Sequence, residues 1–71
     1  MIRIDRAKYA VTKRHMTGAE LRYLPTPALS DDLDLWKQEP GDDDRLIGND
    51  DVLEIGPWLR LFTVPKMING G

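Results

Sequence analysis

Helix-forming sequence is confined to one short stretch of this chain, and that limits the fold more than any other feature. Thr17 can cap a helix, and Glu20 stands three positions later, where its carboxylate reaches back to the cap amide. Met16 before the cap and Leu21 at the fourth helical position have the spacing of a hydrophobic staple. Leu21 and Leu24 share one face and can cover a sheet. Pro25 lacks an N–H and biases Leu24 toward extended backbone, so the helix is predicted to last about two turns. Residues 26–29 read equally as resumed helix or as loop.

The remaining periodicity is two. Ile2 and Ile4 alternate with Arg3 and Asp5, and Tyr9 and Val11 alternate with Lys8, Ala10 and Thr12. Such alternation of β-branched and aromatic residues marks strands with one buried face. It predicts an N-terminal hairpin turning near Arg6 and Ala7, with no Asn-Gly or Asp-Gly pair to fix the turn type. Further strands are predicted at 32–37, briefly at Leu46 and Ile47, at 52–55 and at 59–64. Turns at Pro40-Gly41 and 48–51, and stops at Gly56-Pro57 and Pro65, punctuate them. One helix cannot cover both faces of a sheet, so it should lie on one face of a mixed sheet. The stretch 17–32 is long enough for a right-handed crossover from the hairpin to a parallel strand. The order points to an α+β roll of the β-grasp type, with a small barrel as the competing arrangement.

Composition narrows the function. The chain has 71 residues, room for one small domain without an enclosed cleft. Charged residues make up 31% and apolar ones 41%, as in ordinary globular proteins. Cysteine is absent, which removes thiolate metal sites and cysteine nucleophiles. The net charge is −2, and the basic cluster Lys13, Arg14, His15 is local, so a nucleic-acid partner is not expected. No apolar run approaches the ~20 residues of a membrane span. Residues 1–5 alternate and carry charge, unlike a secretion signal, and a cytoplasmic protein is expected.

Catalytic and metal-binding constellations are scarce. His15 is the sole histidine and reads as a surface residue near the helix cap. Asp42, Asp43 and Asp44 lack the alternating ligands and closing Glu of a calcium loop and read as a solvated turn. No glycine-rich loop leads into a Lys and hydroxyl pair, so no phosphate cradle is present. The chain is not expected to be an enzyme, to bind a cofactor or to hold a metal. Trp36 has the parity opposite to Leu33 and Leu35, which places it on the outer sheet face, as a partner anchor or packed on a loop such as Pro40. Trp58 is expected to close one end of the core, and Tyr23 to pack beside the apolar helix face. Phe62 and Val64 read as core. Leu59, Leu61 and Thr63 have the other parity, so part of that set is expected outside; Arg60 and Leu61 join Trp36 as candidates for partner recognition.

The most informative feature is Gly70-Gly71. Glycine lacks Cβ and accepts backbone shapes closed to other residues, so such an end can thread a narrow channel and present its carboxylate to a nucleotide or a thiol. The expected organisation is a domain over residues 1–65 followed by a flexible tail over residues 66–71.

Four stretches resemble the bacterial multiubiquitin and related ubiquitin-like family: Ile2-Arg3-Ile4-Asp5 with Lys8-Tyr9, Thr17-Gly18-Ala19-Glu20-Leu21, Ile47-Gly48-Asn49-Asp50, and Leu61-Phe62-Thr63-Val64-Pro65. The likeness spans nearly the full length, while Pro25 and the Asp-rich turn depart from it. It implies a ubiquitin-like β-grasp fold and a role in bacterial conjugation, in some systems linked to antiphage defence. The partners it implies are an activating enzyme using Mg-ATP, a conjugating enzyme, a deubiquitinase-like metalloprotease and target-protein amines. By position, Gly71 would be the reactive acyl donor and Gly70 its slender neighbour. Two alternatives stay open: a β-grasp sulfur carrier bearing a C-terminal thiocarboxylate, and a noncovalent interaction module.

Overall fold

The structure is a computed structural model that describes residues 1–57 and 59–66. The expectations for Trp58, Gly70 and Gly71 fall outside the described residues, as does the tail beyond Lys66.

Alternation at the N-terminus forms β1 (Ile2–Ile4), which buries Ile2 and Ile4 and exposes Arg3. It pairs antiparallel with β2 (Ala7–Tyr9) in the register Ile2↔Tyr9, Arg3↔Lys8, Ile4↔Ala7. The hairpin loop is therefore Asp5-Arg6, and β2 begins at Ala7, a residue the sequence placed at the turn. Asp5 takes a φ of 54°, a region that aspartate tolerates better than most residues. Its carboxylate accepts from the Thr63 backbone N–H at 2.9 Å and from Thr63 Oγ1 at 2.7 Å, tying the turn to the far end of the chain.

A two-stranded ribbon follows, built from segments far apart: one strand lies in the predicted 52–55 stretch, and its partner, ahead of the helix, was not expected. β3 (His15–Thr17) leads into α1 (Gly18–Arg22) and then β4 (Leu33–Lys37) and β5 (Arg45–Ile47). β6 (Val52–Glu54) pairs with β3, and β7 (Arg60–Pro65) closes the main sheet. That sheet has five strands in the order β2-β1-β7-β4-β5, while β3 and β6 form a separate two-stranded ribbon. β1 and β7 run parallel, with Arg3↔Arg60 and Ile4↔Leu61 in register. The helical segment links β2 to β4, and the pairings give these two strands the same direction: β2 is antiparallel to β1, β1 is parallel to β7, and β7 is antiparallel to β4. The expected crossover to a parallel strand is therefore present, spanning β1 and β7, which lie between β2 and β4. One short helix packed with this mixed five-stranded sheet is the β-grasp, ubiquitin-like roll.

The core draws Ile2, Ile4, Leu35, Leu59 and Leu61 from the sheet and its approach, and Leu21 from α1. Met16, Ile47 and Leu53 complete it. Leu21 is fully buried at 0% exposure, worth about 1.5–3 kcal/mol in removal from water.

The helix start is where sequence chemistry acts most locally. Thr17 Oγ1 accepts from the Glu20 N–H at 3.1 Å, and Glu20 Oε1 accepts from the Thr17 N–H at 3.0 Å, the reciprocal box expected from the spacing. The two preceding amides point to the loop before β6: Gly18 N–H donates to Asp51 O at 2.9 Å, and Ala19 N–H to Asn49 O at 3.1 Å. The first three helical donors are thereby satisfied. α1 is shorter than its apolar spacing suggested. Tyr23 is already the C-cap, and its N–H turns back to Glu20 O and Leu21 O. Tyr23 is 78% exposed, which overturns its expected packing role.

Gly18 is the point of closest approach. A Cβ built there would lie 2.0 Å from Gly48 O and 2.9 Å from Gly48 C. Backbone atoms cannot step aside as a side chain can. Gly18→Ala should therefore destabilise the fold by about 1–3 kcal/mol or more, the usual range for overpacking. Gly56→Ala, where nothing lies within 4 Å of the added carbon, is the matched control and should be near neutral. Urea unfolding of the two variants checks this.

Glu20 supplies a second prediction. Its carboxyl is held down from 4.5 to about 2, first by the hydrogen bond from Lys13 Nζ at 2.7 Å and then by the Thr17 backbone N–H. A carboxylate whose folded pKa is depressed stabilises the fold above its unfolded pKa and loses that contribution as pH falls toward the folded value. The support from Glu20 should therefore fade between pH 4.5 and about 2. An NMR titration of the Glu20 side-chain carbon should show a midpoint near the lower value, and Lys13→Ala should move it upward.

Candidate functional site

The outer face of the sheet, away from α1, carries the side chains that alternate with the core. Trp36 sits there, as its parity required, and stands opposite Phe62 on β7 and Leu46 on β5. Its ring and that of Phe62 stack, with centroids 6.4 Å apart and planes 14° from parallel. Leu46, at one end of this row, is 50% exposed, and Val64, two residues beyond Phe62 on the same face of β7, is 38% exposed. The Trp36 indole N–H is buried and finds no acceptor among the described residues, a cost that packing against Phe62 must offset.

β7 faces the other way from the sequence expectation. Leu61 is 2% exposed and Leu59 7%, both in the core, whereas Phe62 is half-buried and Val64 exposed on the outer face. Both parities of this strand are apolar, so alternation alone could not choose between them. The choice is made by pairing: Leu61 is in register with buried Ile4. Leu61 is thus a core residue and presents no recognition surface, a correction to its candidacy. Arg60 is exposed on the strand beside it.

The described chain leaves the sheet at Lys66, whose N–H donates to Asp32 O at 2.8 Å. That exit is braced from the loop before β4. Arg22 Nη2 donates to Ser30 O at 2.6 Å, the Ser30 hydroxyl donates to Asp32 Oδ1, and the Leu33 N–H returns to Ser30 O at 3.0 Å. A shallow polar depression of about 290 Å³ lies next to it, lined in part by Arg22, Asp34, Asn49 and Lys66. The direction in which residue 66 is delivered is therefore set by backbone bonding of Lys66 to Asp32. Gly70 and Gly71, the proposed acyl donor, lie outside the described residues.

Among the described residues, no group of three or more His, Asp or Glu side chains is placed to hold a metal ion. His15 is exposed on β3, opposite Glu54. Asp42, Asp43 and Asp44 are exposed in the β4–β5 connection and bond to their own turn, with Asp43 N–H to Asp42 Oδ1 at 2.8 Å. No helix among the described residues is long and apolar enough to cross a membrane.

The reversed parity of β7 is directly testable. Leu61→Ala should cost about 2–5 kcal/mol, as for a buried leucine. Arg60→Ala should change stability by no more than about 0.5 kcal/mol. Thermal unfolding of both variants separates the core residue from the surface one.

A scan against protein-family models, a search of curated proteins and a search of solved structures each return no match to this chain. What it shares with known proteins is therefore established at the level of the fold, a small β-grasp domain.

Proposed function

We propose that this chain is a bacterial ubiquitin-like protein modifier that acts as the acyl donor in a conjugation reaction, with Gly71 supplying the carboxyl group. The observation that carries this reading is the Gly70-Gly71 pair following the closing strand of a β-grasp roll. The likeness of four sequence stretches to the bacterial multiubiquitin family supports it.

The chemistry belongs to partners, and each step balances. A Gly71 carboxylate oxygen attacks the α-phosphorus of Mg-ATP on an activating enzyme and expels pyrophosphate, giving an acyl adenylate. A cysteine thiolate of the partner attacks the acyl carbon and displaces AMP, giving a thioester. A conjugating enzyme then presents an amine of the target, which displaces the thiolate, loses a proton and leaves an amide. Activation makes a poor electrophile into a good one and splits one hard acyl transfer into easier steps. Two glycines place no side chain on the last two residues, so the reacting end is as narrow as a polypeptide allows. A deubiquitinase-like metalloprotease would reverse the attachment by hydrolysing that amide.

Recognition energy comes from the globular surface. Trp36 with its stacked Phe62 offers an aromatic surface of the kind that anchors partners, and Arg60 adds exposed charge. The same carboxylate could instead take sulfur; a sulfur-for-oxygen exchange at Gly71 without any protein adduct would mark the carrier alternative.

Cells co-expressing the chain with activating and conjugating enzymes of the bacterial ubiquitin-like type should yield target peptides bearing a Gly71-derived amide by mass spectrometry. Deleting Gly71 should abolish these adducts while leaving the unfolding temperature unchanged. Absence of any such adduct in the presence of active partners would defeat conjugation. Retained biological activity after removal of both glycines would favour a noncovalent module.

A further inference from the structure

Register places three cations side by side on the helix-free face. Arg3 stands directly opposite Lys8 across the β1–β2 pair and directly opposite Arg60 across the β1–β7 pair. All three are exposed. Neighbouring strands lie about 4.8 Å apart, so the row compresses three positive charges into roughly 10 Å. Like charges facing each other across strands are destabilising. Two other cations do find carboxylates, Lys13 with Glu20 at 2.7 Å and Lys37 with Glu39 at 3.3 Å. No described carboxylate forms an ion pair with Arg3, Lys8 or Arg60. A protein of net charge −2 thus concentrates unneutralised positive charge in one row, against the preference of the sheet itself.

The row borders a built concavity. An open cleft of about 280 Å³ is lined by Arg3, Lys8 and Arg60 together with Met1, Ile2, Pro57 and Leu59. It lies at the start of β7, the end of that strand remote from Lys66, so it is a surface separate from the tail exit. Its walls combine cations with apolar groups.

We propose that this cleft binds an acidic peptide segment of a partner protein, whose carboxylates neutralise the Arg3, Lys8 and Arg60 row while an adjacent apolar side chain packs against Met1 and Pro57. The occupant is chosen by complementarity. Free phosphate would meet the charges and leave the apolar wall uncovered. A nucleic-acid backbone would extend beyond three cations over a protein whose Asp42, Asp43 and Asp44 turn and net charge repel it. A peptide alternating carboxylates and aliphatic side chains meets both halves of the cleft. Arginine suits such a role, since its planar fork can bind a carboxylate through two hydrogen bonds. The inference goes beyond the modifier reading and does not depend on Gly71.

The test is an NMR titration of the whole chain with a capped synthetic peptide of alternating glutamate and leucine. Its controls are the same peptide with glutamine for glutamate, and oligothymidylate. Shifts should cluster at the amides of Arg3, Lys8 and Arg60, shrink as salt is raised, and be lost in an Arg3→Glu/Arg60→Glu double variant. Lys8→Gln, which changes an exposed residue of β2, should weaken the shifts and guards against misfolding of the double variant. Absence of shifts at these amides, equal binding of the glutamine peptide, or stronger binding of oligothymidylate would each overturn the proposal.

Discussion

The roll depends on a contact in which two backbones meet without a side chain between them. Gly18 opens the helix against Gly48, at a distance that leaves no space for even one added carbon. The helix amides at 18 and 19 then take their acceptors from residues 51 and 49, so the helix start and the turn before β6 complete each other. Asp51 folds back on the same turn, its carboxylate accepting from the Gly48 N–H at 2.7 Å. Ile47, immediately before that glycine, is a core residue of edge strand β5. One junction therefore fixes the helix, the β3–β6 ribbon and the free edge of the main sheet. A five-residue helix is far too short to persist by its own propensity, so this tertiary support is what makes it a helix at all.

A second closure links the ends of the chain. Asp5 binds Thr63 across 58 residues of sequence, beside the parallel β1–β7 pairing. The stretches that carry the ubiquitin-like resemblance are the ones that meet here. Residues 17–21 dock on 47–51, and residues 2–5 lie along 59–63, reaching the 61–65 stretch at Leu61 and Thr63. Motifs that look separate in sequence are thus the two halves of two contacts, which gives their residue choices a physical reason independent of ancestry: glycine where backbones touch, and aspartate where a left-handed turn must also reach a neighbouring strand.

The legible parts of the sequence were those decided locally. Thr17 and Glu20 specify a cap within one turn, and Ile2/Ile4 or Leu35/Trp36 reveal their faces because apolar and polar residues alternate cleanly or parity separates them. The five main strands were recognisable for the same reason. What escaped was decided by distant partners. β6 was expected from residues 52–55, but β3 has three residues and little alternation, and gains strand character only by pairing with β6. β7 is apolar on both faces, so Phe62 and Val64 looked as much like core as Leu59 and Leu61, until alignment with Ile4 settled which side is inside. Tyr23 was misread because its neighbour Leu24 suggested another turn of helix, whereas the chain caps at Tyr23. The Arg3, Lys8 and Arg60 row could not be seen at all, since it exists only through strand order.

The proposed roles fall on separate surfaces. The aromatic pair Trp36 and Phe62 and the basic cleft share the helix-free face, while the path toward residue 66 runs past Asp32 at the far end of β7. The proposed role, recognition on one surface and a reacting end elsewhere, would need strands in fixed register, and the junction at Gly18 braces the edge of the sheet that holds them. Amide hydrogen exchange tests this dependence most directly. The Gly18 and Ala19 N–H groups should exchange only with global unfolding, at the slow rate of the core strand amides. Exchange of these two amides at the rate of an unstructured chain, under conditions where β1 and β7 remain protected, would contradict it.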